Sequence, residues 1–331
     1  MTPSNTSNIP DTWHGKPYYS LDAYCKNTFH HKCYKIALNA HMTCPNRDGL
    51  LDTRGCIFCS AGGSGDFAVS MDEGDIDRQL QKGISLFGSK EHGNHFIAYF
   101  QAYTNTYAPV DYLENVYVQA LDHPDVCGIS IATRPDCLPD EVLILLSRLK
   151  NDYPDKFIWI ELGLQTVLEN TALWLRRGYP LSCFDEACRK LDQIGIPVIV
   201  HTILGLPGED LAQALETIHY LNRIKPFGIK LQLLHILKGT DLALLYQTGQ
   251  CKALTKEEYL HLVTECLCAL SPDIVVHRVT GDGPKTLLIA PQWSANKRDV
   301  LNSLHQYMRM HQLYQGKKYL PETTLSNNQF L

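Results

Sequence analysis

Three cysteines near the start of the chain have the spacing of a metal centre. Cys56 and Cys59 are separated by two residues, and eleven residues lie between Cys44 and Cys56. Gly49 and Gly55 allow this loop to fold back, so that the three thiolates converge. A [4Fe–4S] cluster held by three cysteines keeps one iron without a protein ligand, and that iron can bind a substrate or cofactor directly. The spacing therefore predicts an iron–sulfur centre with an open iron.

Two other interpretations of the same cysteines stay open. They are either packed thiols or, together with His41, a Cys₃His zinc site, because His41 and Cys44 have the same two-residue spacing as Cys56 and Cys59. A zinc site of this kind would make the protein a zinc-stabilised nucleic-acid-binding module without catalysis. Zinc sites usually organise small domains, whereas this loop follows the first strand of a large unit. Its location therefore favours catalysis.

The segments that must position these cysteines alternate between short β-branched or aromatic runs and amphipathic stretches, which is typical of repeated βα units around a parallel sheet. The predicted strands are Tyr34–Leu38, His95–Phe100, Val126–Ile131, Phe157–Gly163, Pro197–Leu204 and Gly228–Ile236. The predicted helices between them are Ile76–Leu86, Val110–Leu121, Glu141–Lys150, Phe184–Ile194 and Leu211–Ile224. Beyond them we expect a helix, a possible seventh strand and a last helix at Lys256–Leu270, Ile274–Val279 and Arg298–Met310. Partial barrels and open sheets both place functional residues at the C-terminal strand ends.

Length and composition limit the classes to which the protein can belong. The 331 residues are 44% hydrophobic and 20% charged, which suits one large core and excludes a disordered chain. The sequence has no uncharged apolar stretch of membrane-spanning length and no signal peptide, so we expect a soluble, cytoplasmic protein with no membrane partner. Twelve cysteines without a secretion signal indicate reduced thiols. We expect residues 1–30 to be an N-terminal arm, 31–240 the barrel, and 241–331 an extension that closes it and is a candidate region for substrate contact. The first 30 and the last dozen residues are expected to be either poorly ordered or draped over the surface.

Charge is segregated along the chain. The formal net charge is −5, which gives no global case for nucleic-acid binding. Residues 284–320 nevertheless hold six basic residues against the single acid Asp299. The basic residues are Lys285, Lys297, Arg298, Arg309, Lys317 and Lys318. Basic groups interleaved with aromatic side chains such as Trp293 can bind phosphates and stack bases, whereas the simpler alternative is a solvated helix that closes the barrel.

Several motifs in order resemble one known family. They are the C-x₁₁-C-x₂-C cysteines, Thr133–Cys137, Glu161–Thr166, Arg177-Gly178 and His201–Glu209. Over roughly Lys16 to Pro291 the sequence resembles the radical S-adenosylmethionine (SAM) enzymes, specifically the YhcC/YtqA-like group, which is similar to the radical domain of the Elongator catalytic subunit. The cysteine spacing is longer than the C-x₃-C-x₂-C of most of the superfamily and matches this group. The resemblance implies an α/β fold, a partial TIM-type (β/α)₆ barrel with N-terminal and C-terminal extensions.

The resemblance also implies the chemistry. A reduced [4Fe–4S] cluster on Cys44, Cys56 and Cys59 would pass an electron to SAM, yielding methionine and a 5′-deoxyadenosyl radical that abstracts a substrate hydrogen. An electron donor such as flavodoxin or ferredoxin is implied. Similarity to the Elongator subunit, together with the basic tail, suggests a tRNA wobble uridine modified at its C5 substituent. A radical SAM enzyme acting on a small metabolite is the alternative.

Three predicted SAM contacts lie near the cysteines and the second strand. By resemblance, Phe58 occupies the aromatic position that packs near the SAM adenine. Gln101 and Tyr103 belong to a polar run where the superfamily usually has a Gly-rich motif that receives the SAM amino group. In this sequence the pattern is altered, so we expect their side chains or backbone carbonyls to bind that group. For Phe58, Gln101 and Tyr103 alike, the alternative is that the side chain only stabilises its own loop.

The remaining predicted SAM contacts follow the fourth and fifth strands. Glu161 and Gln165 bracket the end of strand four, and a buried carboxylate needs a cationic or hydroxyl partner that SAM could supply. Arg177 could pair with the SAM carboxylate, since guanidinium binds carboxylates bidentately. The turn at Gly205 permits the backbone to approach an edge of the SAM adenine closely. Glu209 belongs to the same predicted site, although capping of the next helix explains it equally well.

Overall fold

The computed structural model describes residues 9–63, 75–87, 95–281 and 283–321. Its strands in chain order are β1 (Tyr34–Leu38), β2 (Phe96–Phe100), β3 (Val126–Thr133), β4 (Phe157–Gln165), β5 (Val198–Leu204), β6 (Gly228–Leu233), β7 (Ile236–Leu237), β8 (Val275–Arg278) and β9 (Leu288–Ala290). Within these residues, seven strands form one curled parallel sheet in the order β1-β2-β3-β4-β5-β6-β8, and β7 pairs with β9 antiparallel. The α/β partial barrel predicted from the sequence is therefore confirmed.

Helices connect the strands and cover the outside of the sheet. They are α1 (Leu21–Phe29), α2 (Ile76–Ser85), α3 (Val110–Asp122), α4 (Asp140–Asp152), α5 (Glu169–Trp174), α6 (Leu181–Gln193), α7 (Leu211–Ile224), α8 (Asp241–Gln247), α9 (Lys256–Ala269) and α10 (Lys297–Met310). Side-chain caps fix several helix starts. Asp210 and Gln213 form a capping box that begins α7, and Thr255 and Glu258 form another that begins α9. None of the described helices is long and apolar enough to span a bilayer.

Most strands and helices lie where the sequence predicts them. The possible seventh strand is real and extends the sheet as β8. The sixth strand ends at Leu233, and Ile236 instead pairs with Ala290 in the small antiparallel sheet. Helices α5 and α8 were not predicted, because six and seven residues are too few to establish a helical period.

Residues 9–30 of the expected N-terminal arm include a helix that packs against the barrel. Helix α1 begins at Ser20, whose side chain accepts a hydrogen bond from the backbone of Ala23. On its inner face the Tyr24 ring packs edge-on against Trp159 of β4 and Phe227, with ring centroids 6.1 and 4.9 Å apart. Helix α1 therefore closes the end of the barrel at which the strands begin. Residues 1–8 and 322–331, which include most of the expected loose C-terminal dozen, lie outside the described residues.

The inside of the barrel is built in layers, because alternate residues of each strand face the same side. Near the closed end, Ile97, Trp159 and Ile199 are fully buried and fill the lumen. Two residues further along these strands the filling changes from apolar to polar side chains. Beyond that polar layer, the C-terminal strand ends surround an open cavity.

Candidate active site

All three predicted cluster cysteines line the cavity at the C-terminal strand ends. The cavity has a volume of about 820 Å³ and is bounded by strands β1 to β6 and by loops of the C-terminal extension. Cys44, Cys56 and Cys59 are half-buried in its wall. The loop between them thus folds back, as the glycine positions predict.

The cysteine loop is held in this shape by its own polar groups. The Arg47 guanidinium donates to the backbone carbonyl of Cys59 at 2.8 Å, which ties the two ends of the loop together. Gly55 has a φ of +78°, and a Cβ there would lie 2.8 Å from Nε of Arg47. The Asn46 side chain donates towards the Cys56 sulfur at 3.5 Å. These contacts orient the sulfurs before any cofactor is bound.

Three cysteines on one cavity wall provide the kind of donors that an iron–sulfur cluster uses. Burial, and then the neighbouring Cys59, raises the pKa of the Cys56 thiol to about 12, so ionised sulfurs here need a compensating cation such as iron. Among the described residues, no three His, Cys, Asp or Glu side chains are placed to hold a single metal ion. His41 is exposed and does not line the cavity. The Cys₃His zinc site is therefore not assembled, whereas in a cluster each thiolate binds a different iron and the sulfurs stand further apart.

Three residues near this loop were predicted to contact SAM, and all three also line the cavity. Phe58 and Gln101 face it. Tyr103 does too, but its hydroxyl donates to the carbonyl of Ala61 at 2.5 Å, and its ring fills the space where a Cβ of Gly63 would sit. Tyr103 therefore anchors the segment after Cys59, the stabilising role that was its alternative.

Glu161 lies in the polar layer below the cysteines, with partners supplied by the protein. One carboxylate oxygen accepts from Lys35 Nζ and from the Ser130 hydroxyl, each at 2.6 Å. The other accepts from His201 Nε2 at 2.6 Å and from Lys230 Nζ. Glu161 is only 1% exposed. The cationic and hydroxyl partners that we expected SAM to provide thus come from four other strands.

The charges in this layer follow from burial and proximity. Burial alone would raise the pKa of Glu161, but Lys230 and Lys35 hold it well below its ordinary value, so the carboxylate is ionised. Burial, and then the field of Lys230, lowers the pKa of His201 to about 4. His201 is therefore neutral at pH 7. Its Nε2–H donates to Glu161, and its Nδ1 is left to accept from Gln232 at 3.3 Å.

Arg177 has a different role from the one predicted. Its Nε donates to the Tyr179 carbonyl at 3.0 Å, and one terminal nitrogen donates to the carbonyls of Leu164 and Thr166 at 3.1 and 2.9 Å. The other terminal nitrogen contacts both carboxylate oxygens of Glu169. All five N–H donors are therefore used inside the protein. Arg177, 2% exposed, fixes the loop after β4 and has no donor left for the SAM carboxylate.

The other predicted residues of this region separate into two groups. Gln165, at a φ of +62° where β4 shifts register, lines the cavity. Gly205 and Glu209 do not line it. Glu209 accepts a hydrogen bond from Thr166 at 2.7 Å, while Asp210 caps α7. Gln165 therefore lies on the cavity wall, whereas Glu209 stabilises the loop after β4.

The C-terminal extension supplies one side of the cavity mouth. His235 hydrogen-bonds the Ser294 hydroxyl at 3.0 Å, which joins the end of β6 to the segment before α10. Lys285 and Lys297 are exposed and line the same mouth. Lys318 lies at the other end of the barrel, where its backbone bonds the end of α9 and its side chain pairs with Glu265 at 2.5 Å. The basic tail is therefore divided between the two ends.

Sequence reasoning missed the residues that surround Glu161. Lys35 and Lys230 each occupy the middle of a strand whose neighbours are mostly apolar. A lysine at such a position is a signal, because a charge within a buried strand needs a partner in the lumen.

Comparison with known proteins identifies the family. Residues 53–221 match the model of the radical SAM superfamily, and residues 226–310 match that of the Radical_SAM C-terminal domain. The chain belongs to the radical SAM superfamily. Within this superfamily it is 43% identical over 302 residues to the protein YtqA of Bacillus subtilis, covering 91% of this chain and 92% of YtqA. It is 34% identical over 295 residues to the protein YhcC of Escherichia coli, covering 88% and 93% of the two chains.

A solved structure supports the fold of this radical SAM chain. The archaeal Elp3 of Methanocaldococcus infernus superposes with a TM-score of 0.65 at 16% sequence identity, over 86% of this chain and 64% of that chain. At this identity the likeness concerns the fold alone. The superfamily implies a [4Fe–4S] cluster and SAM, and the three cavity cysteines are the residues that would hold the cluster.

Proposed function

We propose that this radical SAM enzyme modifies the C5 substituent of a tRNA wobble uridine. The observation that carries the proposal is that one cavity is lined both by the three cysteines and, at its mouth, by exposed lysines. When bound, the cluster and SAM supply the 5′-deoxyadenosyl radical that removes a hydrogen from the substrate. The electron comes from a donor such as flavodoxin or ferredoxin, and the reaction takes place in the cytoplasm.

The chain's own residues bind and orient the cluster and SAM, and they shield the radical from water. Cys44, Cys56 and Cys59 hold the cluster at the upper wall of the cavity. Phe58, Gln101 and Gln165 lie on the same cavity surface and are the proposed contacts for SAM. The filled layers below the cavity keep water out from the closed end, which protects a reactive radical from quenching.

The tRNA part of the proposal is supported by the mouth of the cavity. Lys285 and Lys297 are exposed there, where a nucleotide that enters the barrel would leave its neighbouring phosphates outside. Arg298 is exposed beside Lys297 at the start of α10. The resemblance of the sequence motifs to the Elongator catalytic subunit points to the same substrate.

The cluster is tested by metal content. Protein isolated without air should hold about four iron and four sulfide per chain, and Cys56→Ala should lose both. Cys183→Ala, a half-buried cysteine outside the cavity, is the matched control and should keep them. About one zinc and no sulfide in the parent protein would refute the cluster.

The substrate is tested by tRNA binding at several salt concentrations. Lys285→Ala/Lys297→Ala should weaken binding and flatten the salt slope by up to about two units, roughly one for each lost phosphate contact. The control, Lys317→Ala/Lys318→Ala, removes the same charge at the far end of the barrel and should bind like the parent.

Nucleoside profiling completes this test. A deletion strain should lack one C5-substituted uridine in its tRNA, and the parent gene should restore it. A parent protein that does not bind tRNA at low salt, with an unchanged nucleoside profile in the deletion strain, would favour the small-metabolite enzyme.

A further inference from the structure

A buried asparagine beside the cysteine loop donates to the sulfur of Cys56, one of the three proposed cluster ligands. Asn46 follows Cys44 by two residues and is 2% exposed. Its side-chain Nδ2 lies 3.5 Å from Sγ of Cys56, within the range of an N–H···S hydrogen bond. The same nitrogen donates to the backbone carbonyl of Arg176 at 2.7 Å. One carboxamide therefore serves both a cysteine sulfur and a carbonyl of the chain.

The orientation of this carboxamide is fixed by the segment after α5. A carbonyl oxygen only accepts hydrogen bonds, so the contact with Arg176 shows that the NH₂ group, and not the amide oxygen, lies on this side. The Arg177 guanidinium anchors the same segment to the carbonyls of the loop after β4. Gly178, at a φ of +83°, leaves room for the amide, since a Cβ there would lie 2.8 Å from Oδ1 of Asn46. The Arg177-Gly178 motif thus holds Asn46 in place.

The second N–H bond of Asn46 has two acceptors within reach, the Cys56 sulfur and the Arg177 carbonyl at 3.4 Å. That carbonyl already accepts from Nη1 of Arg134 at 3.0 Å. A thiolate is the stronger acceptor of the two, because hydrogen bonds to ionised groups are stronger than those to neutral groups. Binding to iron also removes the thiol proton with which Cys56 contacts the Arg176 carbonyl at 3.5 Å. Asn46 then supplies a donor to a sulfur that has lost its own.

We propose that Asn46 is a positioning residue for the cluster, and that its N–H···S bond to Cys56 makes the cluster easier to reduce. Hydrogen bonds to the sulfurs help to set the reduction potential of a cluster, because they stabilise the additional negative charge of its reduced state. The effect is stronger in a buried site, where water does not screen it. This inference rests on the proposed function in one respect, namely that the three cysteines hold a [4Fe–4S] cluster. It does not depend on the substrate.

A redox titration of protein isolated without air, followed by the EPR signal of the reduced cluster, tests this role without SAM or substrate. Asn46→Leu removes the donor with little change in volume, and the equilibrium constant for reduction should fall about tenfold, which is about 59 mV for a one-electron couple. Asn46→Val provides a second variant, in case Asn46→Leu does not fold. The control is Asn27→Leu, at the closed end of the barrel, where Nδ2 of Asn27 donates to the Thr12 carbonyl at 2.8 Å. It should keep the reduction potential of the parent.

Iron content separates this inference from the proposed function. An Asn46 variant that holds about four iron per chain and has the potential of the parent overturns the inference. Loss of iron from both Asn46 variants would assign Asn46 to cluster assembly and would likewise overturn it. A parent without a four-iron cluster refutes the cluster itself. A lowered potential in an iron-containing Asn46 variant supports the inference, even where the deletion strain keeps its tRNA nucleosides and the tRNA substrate is refuted.

Discussion

Replacing Glu161 by glutamine should destabilise the protein strongly, although the two side chains have nearly the same shape. Each carboxylate oxygen accepts from two donors, Lys35 and Ser130 on one side and His201 and Lys230 on the other. An amide offers one acceptor and one donor, so in either orientation its NH₂ group faces two donors. The substitution also removes the one negative charge among buried cations.

The expected magnitude follows from these losses. Removing one partner of a buried ion pair costs about 3–5 kcal/mol, because the other charge stays buried without compensation. We therefore expect Glu161→Gln to lower the free energy of unfolding by about 4 kcal/mol. Glu161→Gln/Lys230→Met, which also removes one of the two lysines, should lose at least about 1 kcal/mol less than the sum of the single variants. Glu186→Gln, in an exposed pair with Lys190, should cost less than about 1 kcal/mol.

Urea denaturation under anaerobic conditions measures these differences. The parent, Glu161→Gln, Lys230→Met, the double variant and Glu186→Gln are unfolded at the same pH and salt. Their unfolding free energies are compared once their m-values have been shown to agree. A loss below about 1 kcal/mol in Glu161→Gln would show that the buried carboxylate does not organise the layer. Additive losses in the double variant would show that Glu161 and Lys230 do not depend on each other.

Three further predictions concern other parts of the site. Arg177→Lys should lower the free energy of unfolding by about 3 kcal/mol in urea, because one ammonium cannot satisfy the carbonyls that the guanidinium binds, and a loss below about 1 kcal/mol would contradict its anchoring role. The lowered pKa of His201 means that the unfolded chain binds this proton more tightly, so stability is present above about pH 6.5 and is lost as the pH falls towards 4. This group should account for about 1.4 kcal/mol between pH 7.5 and 5.5, and His201→Gln should show a correspondingly smaller decrease over the same range. Gly63→Ala should reduce the iron retained per chain, because its Cβ would lie 2.3 Å from the Tyr103 ring at a φ of +60°, and Gly63→Ala/Tyr103→Ala should recover part of that iron.

The convergence of the three cysteines on one cavity and the positions of the strands could be predicted because both depend on short stretches of sequence. The cysteine spacing and the glycines of its loop lie within sixteen residues, from Cys44 to Cys59. The alternation of apolar and polar residues is likewise local, so the strands of the sheet could be located to within a few residues. Their parallel direction followed from the helices between them.

The partners of Glu161 and Arg177 could not be predicted in the same way. Lys35 and Glu161 are 126 residues apart, and only the closing of the sheet into a barrel brings them within 2.6 Å. Arg177 binds carbonyls that become available where β4 changes register near Gln165, a backbone feature with no side-chain pattern. A charged residue in a motif thus indicated a buried partner, but a ligand and the protein's own backbone were equally good candidates.

The end of the barrel that α1 closes determines the order in which ligands enter and leave the cavity. Among the described residues, α1 and the rings beneath it block one end of the barrel, so a molecule reaches the lumen from the other end, near Lys285 and Lys297. A molecule bound against the polar layer is then covered by the molecule that binds after it, and it cannot leave until the later one has left. Loading and release are therefore sequential, and an excess of the later-binding component should trap the deeper one and slow turnover.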